Sequence, residues 1–139
     1  MMSRKRFRLI EHTADVGLVA YGESLAEAYA NAAYGMFSII AELGNVKEKE
    51  SRSVAATAED RGSLLFEWLN SLLYLFDVEM ILFRRFDIIE FGGKRLKAEC
   101  YGEKYDPSRH QLKTGVKSAT YHLLEVDEAK PKVQVIFDI

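Results

Sequence analysis

Residues 60–101, DRGSLLFEWLNSLLYLFDVEMILFRRFDIIEFGGKRLKAECY, decide the fold of this chain. Asp60 is a typical helix N-cap, and apolar residues then recur at helical spacing. From Ile81 onward the apolar period falls to two residues, and a Gly-Gly pair at 92–93 separates two such runs. The stretch therefore predicts a well-buried helix followed by an antiparallel hairpin.

The flanking sequence predicts a second helix and more strands. Ser24 with Glu27 forms a capping box, and Gly44 is a suitable C-terminal stop, so we expect a helix between them. Strands are predicted at residues 7–11, 19–21, 53–58, 116–126 and 133–139, the last two as a hairpin. We therefore expect an α+β fold: a mostly antiparallel β-sheet with two α-helices packed on one face, as a single domain over residues 1–139.

Composition restricts the class of function. The chain has 139 residues, 48% of them hydrophobic, and a net charge of −2, which argues against autonomous tight binding to nucleic acid. Its one cysteine, Cys100, allows no internal disulfide and suits a reducing cytoplasm. No apolar run is long enough for a membrane span, and the basic run at residues 4–6 lacks the apolar segment of a secretory signal. That run could contact RNA, although a solvated end is its commoner role.

Familiar catalytic signatures are missing from the sequence. It contains no phosphate-binding glycine loop, no Gly-x-Ser-x-Gly elbow and no His-Glu-x-x-His helix. Cys100 falls in an alternating strand pattern, which favours a packing role over a nucleophile, and His110 falls in a predicted flexible loop. The residues therefore predict a chain without a self-sufficient catalytic centre.

A short polar loop at residues 12–17 is the first candidate site. His12 and Asp15 lie three residues apart between apolar segments and could act as metal ligands or as acid and base. The alternative is an Asx-type turn, with Asp15 bonding nearby backbone and Gly17 supplying an unusual dihedral angle. The residues alone favour the turn.

The last two residues are the second candidate. Asp138 precedes Ile139, whose free carboxylate would bring two anions together and require a cation between them. Oxygen ligands of this kind suit Mg²⁺, Ca²⁺ or Mn²⁺. Symmetric pairing of the last hairpin would place Asp138 opposite Thr120 and near Lys117, which could hold the site together or bind a phosphate. The alternative is a solvated strand end with an ordinary surface lysine.

Six runs of the sequence, taken in order, resemble the archease family. They are HTADVG at 12–17, AYG at 20–22 leading to SL at 24–25, AAYGMF at 32–37, LLFEWLNSLL at 64–73, VKSATYH at 116–122 and FDI at 137–139. The match departs at Ser118, where the family more often has alanine.

The resemblance implies a non-enzymatic accessory factor for the RtcB-type tRNA-splicing RNA ligase. Such a factor promotes GTP-dependent guanylylation of the ligase and its multiple turnover. It implies a divalent metal ion (Ca²⁺, Mg²⁺ or Mn²⁺) held by Asp15, Asp138 and Ile139, with Lys117 and His12 contacting the partner or a phosphate. It also implies a cytoplasmic protein that meets tRNA only indirectly.

Two other functions remain open at this point. The first is a chaperone-like partner of a tRNA-modifying methyltransferase, a role also associated with the family, which needs an apolar docking surface and no metal. The second is an independent metal-dependent enzyme acting on phosphate esters, with Asp15, Asp138, His12 and Lys117 as its active site.

Overall fold

The computed structural model describes residues 5–11 and 14–139, and this part of the chain holds eight strands and two α-helices. In chain order the elements are β1 Phe7–Glu11, β2 Asp15–Tyr21, α1 Leu25–Ile40, β3 Glu50–Thr57, α2 Arg61–Glu79, β4 Ile81–Phe91, β5 Arg95–Lys104, β6 Ser118–Ala119, β7 Glu125–Asp127 and β8 Lys132–Asp138. A single turn of 3₁₀ helix, Leu43–Asn45, follows α1.

The strands divide between two antiparallel sheets. One has the order β1-β2-β8-β6, with β7 also pairing with β8, and the other has the order β3-β5-β4. Both helices share one hydrophobic core with the two sheets. The predicted α+β class, with two helices and antiparallel strands, is confirmed. Neither α-helix of the described residues is both long and apolar enough to cross a membrane.

Both predicted helix starts are confirmed. The Ser24 hydroxyl accepts a hydrogen bond from the Glu27 N–H at 3.1 Å, and the Asp60 carboxylate accepts one from the Ser63 N–H at 2.8 Å. The predicted stop at Gly44 is wrong, because α1 already ends at Ile40. Beyond it the chain becomes extended and forms a β-bridge with the loop that follows β5, which draws the backbone away from the helix axis.

The core is built from the apolar faces that the sequence pattern indicated. Trp68 of α2 is fully buried, and its indole N–H donates to the backbone carbonyl of Tyr29 in α1 at 3.0 Å, which ties the two helices together. Cys100 of β5 is also fully buried, and desolvation raises the pKa of its thiol to about 12. Its predicted packing role is thus confirmed.

The C-terminal hairpin differs in detail from the prediction. Two short strands, β6 and β7, pair with β8 in place of one long strand, and Leu123 adopts a left-handed conformation (φ 52°) in the turn between them. The N–H and the hydroxyl of Thr120 both donate to the Ile136 carbonyl. The register is therefore shifted by two residues, and Ser118, not Thr120, lies opposite Asp138.

Candidate metal-binding site

Asp15 and Asp138 lie directly opposite one another on the neighbouring strands β2 and β8. Directly opposed residues of an antiparallel pair point to the same face, with Cβ atoms about 4.5–5.5 Å apart. Ser118 of β6 lies opposite Asp138 on its other side. Because side chains alternate along a strand, these three lie on the face opposite to the buried Leu18 and Phe137. The sheet therefore places two carboxylates and a hydroxyl in one row.

Residues 15–17, predicted as part of a loop, lie in a strand. Strand β2 begins at Asp15 itself, not at residue 19. The Asx-turn interpretation gains no support, because Gly17 has no positive φ and the Oδ1 atom of Asp15 accepts no hydrogen bond. Gly17 is instead needed for space, since a Cβ there would lie 3.0 Å from both Ile10 Cβ and Ile136 Cδ1. Its absence of a side chain lets three strands pack closely beside Asp15.

The Oδ1 atom of Asp15 is buried and has no hydrogen-bond partner. Within the described ranges, no lysine, arginine or histidine forms an ion pair with Asp15 or Asp138. A buried carboxylate oxygen without a donor is costly, and a second carboxylate directly opposite adds repulsion. Both costs fall when a cation lies between the two side chains. The exposed position of Asp138 leaves such a cation open to solvent and to a partner.

The backbone around the pair is fixed by two hydrogen bonds. The Ile139 N–H donates to the Ala14 carbonyl at 3.4 Å, and the Lys117 N–H donates to the Asp138 carbonyl at 2.8 Å. The main chain of Ile139 thus lies beside the residue that precedes Asp15. The side chain of Lys117 is exposed. His12, the remaining predicted site residue, lies outside the described residues.

The donor set fits a hard divalent cation. Across residues 5–11 and 14–139, no three His, Cys, Asp or Glu side chains are grouped closely enough to hold a metal, and the side-chain carboxylates that the described residues bring together here are those of Asp15 and Asp138. Mg²⁺ is commonly bound by one or two carboxylates with water completing its shell, and Ca²⁺ accepts main-chain oxygens as well. Asp15 and Asp138 supply oxygen atoms, whereas structural zinc is usually bound by nitrogen and sulfur ligands in a tetrahedral arrangement.

Ser118 is the residue that sequence reasoning missed. Its hydroxyl lies on the same face as Asp138 and could supply a neutral oxygen to the site. The sequence singled out Ser118 only because the archease family more often has alanine at this place in the run VKSATYH at 116–122. The predicted register of the last hairpin was wrong by two residues and placed Thr120, not Ser118, opposite Asp138.

A second cluster of titratable groups lies away from this row and was also missed. His110 is buried rather than part of a flexible loop. Its Nδ1 accepts from the Asp106 N–H at 2.8 Å, so Nε2 carries the proton and donates to Glu103 at 2.9 Å. A hydrogen bond from Arg109, together with those from Lys47 and His110, lowers the pKa of the buried Glu103 to about 2. The cluster fixes the loop after β5 and has a structural role.

Comparison with known proteins decides the relationship. A profile of the Archease protein family matches residues 7–139. The chain belongs to the archease family. The resemblance found in the six sequence runs is thereby confirmed.

Individual archeases agree over almost the whole chain. The archease of Methanosarcina acetivorans is 40% identical, with 97% of each chain covered, and that of Pyrococcus abyssi is 42% identical, with 89% of each covered. The solution structure of a Methanobacterium thermoautotrophicum protein superposes with a TM-score of 0.80 at 36% identity, covering 96% of this chain and 99% of the other. A Thermotoga maritima crystal structure, described as an archease and possible chaperone, shares the fold (TM-score 0.61, 23% identity, 100% and 99% covered).

Proposed function

We propose that this archease is a metal-binding accessory factor that activates an RtcB-type tRNA-splicing RNA ligase. It promotes the GTP-dependent guanylylation of the ligase and its multiple turnover. The observation that carries the proposal is the direct opposition of Asp15 and Asp138, with one oxygen of Asp15 buried and unpartnered. Membership of the archease family supplies the class of partner.

Asp15, Asp138 and the main-chain oxygen of Ile139 would hold a divalent cation where strand β2 begins and strand β8 ends. When bound, the cation would supply positive charge to phosphate oxygens at the ligase active site. The protein's own residues hold the two carboxylates at fixed spacing, through the β2–β8 ladder and the backbone bond between Lys117 and Asp138. The exposed Lys117 ammonium would contact the partner or a phosphate, as a compact point charge does.

The accessory role is supported by the state of the candidate nucleophile. Cys100 is fully buried and burial raises the pKa of its thiol, which disfavours the thiolate at neutral pH. In the proposed role the nucleophile is the ligase histidine, and the archease contributes charge and positioning. Turnover of a nucleotide by the isolated protein would instead favour the metal-dependent phosphoester enzyme.

The test is a guanylylation assay with the cognate ligase, GTP and a divalent metal. We expect Asp15→Asn and Asp138→Asn each to reduce stimulation to the level of ligase alone, because each leaves one carboxylate in the site. Asp77→Asn, which removes an exposed carboxylate from α2, is the matched control and should stimulate fully. Full stimulation by both site variants would overturn the metal-site mechanism.

A second candidate is a chaperone-like partner of a tRNA-modifying methyltransferase. It is favoured by large apolar side chains exposed along α2, where Tyr74 is 66% and Val78 is 60% exposed. This function needs no cation, so protection of the methyltransferase from aggregation should survive a chelator. Loss of protection in Tyr74→Ser with ligase stimulation intact would separate the two functions.

A further inference from the structure

Two hollows on the surface share the side chain of Arg84. The first, about 380 Å³, lies between α1 and β4 and is also lined by Arg6 and Arg85. The second, about 450 Å³, lies beside the 3₁₀ turn and is also lined by Lys47 and Arg109. We call these five cationic side chains together the arginine groove.

A β-bulge produces the central part of this groove. In the pairing of β4 with β5, Phe83 and Arg85 oppose consecutive residues, so Arg84 is the extra residue of β4. Strand β4 therefore exposes two consecutive arginines, while Phe83 and Phe86 on either side stay buried. Bulges redirect side chains in this way and are frequent next to functional sites.

The groove concentrates positive charge on a chain whose net charge is −2. Its two hollows are lined by five cationic side chains and by two carboxylates, those of Glu27 and Glu48. A hollow of about 420 Å³ on the five-stranded sheet has the opposite balance, with Glu125, Asp127 and Glu128 against Lys132. The linings of these hollows thus differ in the sign of their excess charge.

Arg6 is held in place by neutral partners, and Arg84 by one neutral partner and one long ion pair with Glu48. The Cζ atom of Arg6 lies 3.5 Å from the centre of the Tyr34 ring. The Nε of Arg6 donates a hydrogen bond to the Oδ1 atom of Asn31 at 3.2 Å. Arg84 donates from Nη1 to the Val46 carbonyl at 2.9 Å, and its nearest carboxylate contact is 3.7 Å from Nε. Both guanidinium groups therefore keep donors for a ligand.

The ammonium group of Lys47 makes no ion pair with the described residues, whereas Arg85 and Arg109 are bonded to carboxylates. Only the backbone N–H of Lys47 is engaged by the described residues, in a hydrogen bond to Glu103. Arg85 bonds Glu48 and Asp87, and Arg109 bonds Glu103, at 2.7–2.8 Å, so these carboxylates offset much of the charge of the two guanidinium groups. Three cations are thus available along the groove.

We propose that the arginine groove binds the phosphate backbone of a nucleic-acid strand. Guanidinium forks match phosphate oxygens, and two adjacent hollows joined by Arg84 suit a chain of anions better than one isolated anion. Nearly half of the lining residues are charged, whereas the centre of a protein interface is depleted in charged residues. The inference goes beyond ligase activation and replaces the expected indirect encounter with tRNA by a weak direct contact.

Fluorescence anisotropy of a short labelled oligouridylate, titrated with the full chain at several salt concentrations, tests this. With three phosphate contacts, the logarithm of the binding constant should fall with the logarithm of the salt concentration with a slope of about −2. The Kd should lie between about 1 and 100 µM. The double variant Lys47→Gln/Arg84→Gln loses two contacts, and each contact contributes about 0.7 to the magnitude of the slope. The slope should therefore become less steep by about 1.4, and the affinity should fall about 25-fold at about 0.1 M salt.

The control is Arg95→Gln/Lys97→Gln, which makes the same change in net charge at the start of β5, outside the groove. It should bind like the wild type, and an equal loss of affinity in it would overturn the groove assignment. Arg84→Lys, which keeps the charge, should retain the salt slope and shows that a loss is not due to misfolding. A polyaspartate peptide that competes better than the RNA would overturn the choice of nucleic acid in favour of an acidic protein segment.

Discussion

The Asp15→Asn substitution should make the protein more stable in the absence of divalent cations. Two unit charges about 5 Å apart repel by about 1–3 kcal/mol for effective dielectric constants between about 80 and 20. Because Asp138 is exposed, the lower end applies, and we expect a gain of about 1 kcal/mol. For a chain of this size that is a rise in Tm of about 4 °C.

A bound cation should make the wild type more stable than the Asp15→Asn variant. A ligand that binds only the folded state at 100 times its Kd stabilises it by about 2.7 kcal/mol. Wild-type protein should gain this amount, whereas Asp15→Asn, with one carboxylate left, should gain much less. The variant is then the more stable protein in chelator and the less stable one in saturating metal.

Urea unfolding of both proteins in EDTA and in a divalent-metal series measures the two effects together. Asp77→Asn is the control, because it removes an exposed carboxylate of α2 and should follow the wild type in both conditions. If Asp15→Asn were less stable than the wild type in EDTA, or gained as much from metal, the assignment of the pair as a cation site would be refuted.

Three further substitutions test particular contacts. Gly102→Ala should destabilise the fold by about 2–3 kcal/mol, because its Cβ would lie 1.8 Å from a carbonyl oxygen of β4, whereas Gly44→Ala, with nothing within 4 Å, should be neutral in the same urea titration. Ser118→Ala should weaken Mn²⁺ binding about two- to tenfold in calorimetry, and unchanged affinity would remove the hydroxyl from the site. Glu103 has its pKa lowered to about 2, chiefly by Arg109, so it stabilises the fold above its unfolded pKa of about 4.3 and this contribution is lost as the pH falls toward 2. Glu103→Gln should therefore flatten the fall in urea midpoint across that range, and an unchanged profile would contradict the role of this carboxyl group.

Much of the fold could be predicted because local signals and tertiary structure agree. The caps at Ser24 and Asp60 and the strand Ile81–Phe91 follow from side-chain chemistry and period alone. The end of α1 did not follow, because the bridge between Ala41 and Leu112 is a long-range pairing that no local pattern encodes.

The candidate site was predictable in its residues but not in its geometry. Asp15 and Asp138 were selected by residue type and by family resemblance, yet their opposition depends on the register of β2 against β8. A similar long-range register placed Ser118 beside Asp138, where an assumed symmetric hairpin had placed Thr120. The buried state of the Asp15 oxygen depends on packing around it, which the sequence does not display.

An anomalous difference map from crystals grown with Mn²⁺ tests the central claim most directly. We predict a peak within about 2.0–2.6 Å of carboxylate oxygens from both Asp15 and Asp138. A fully occupied Mn²⁺ elsewhere on the molecule, with this pair left empty at the same metal concentration, would contradict the account.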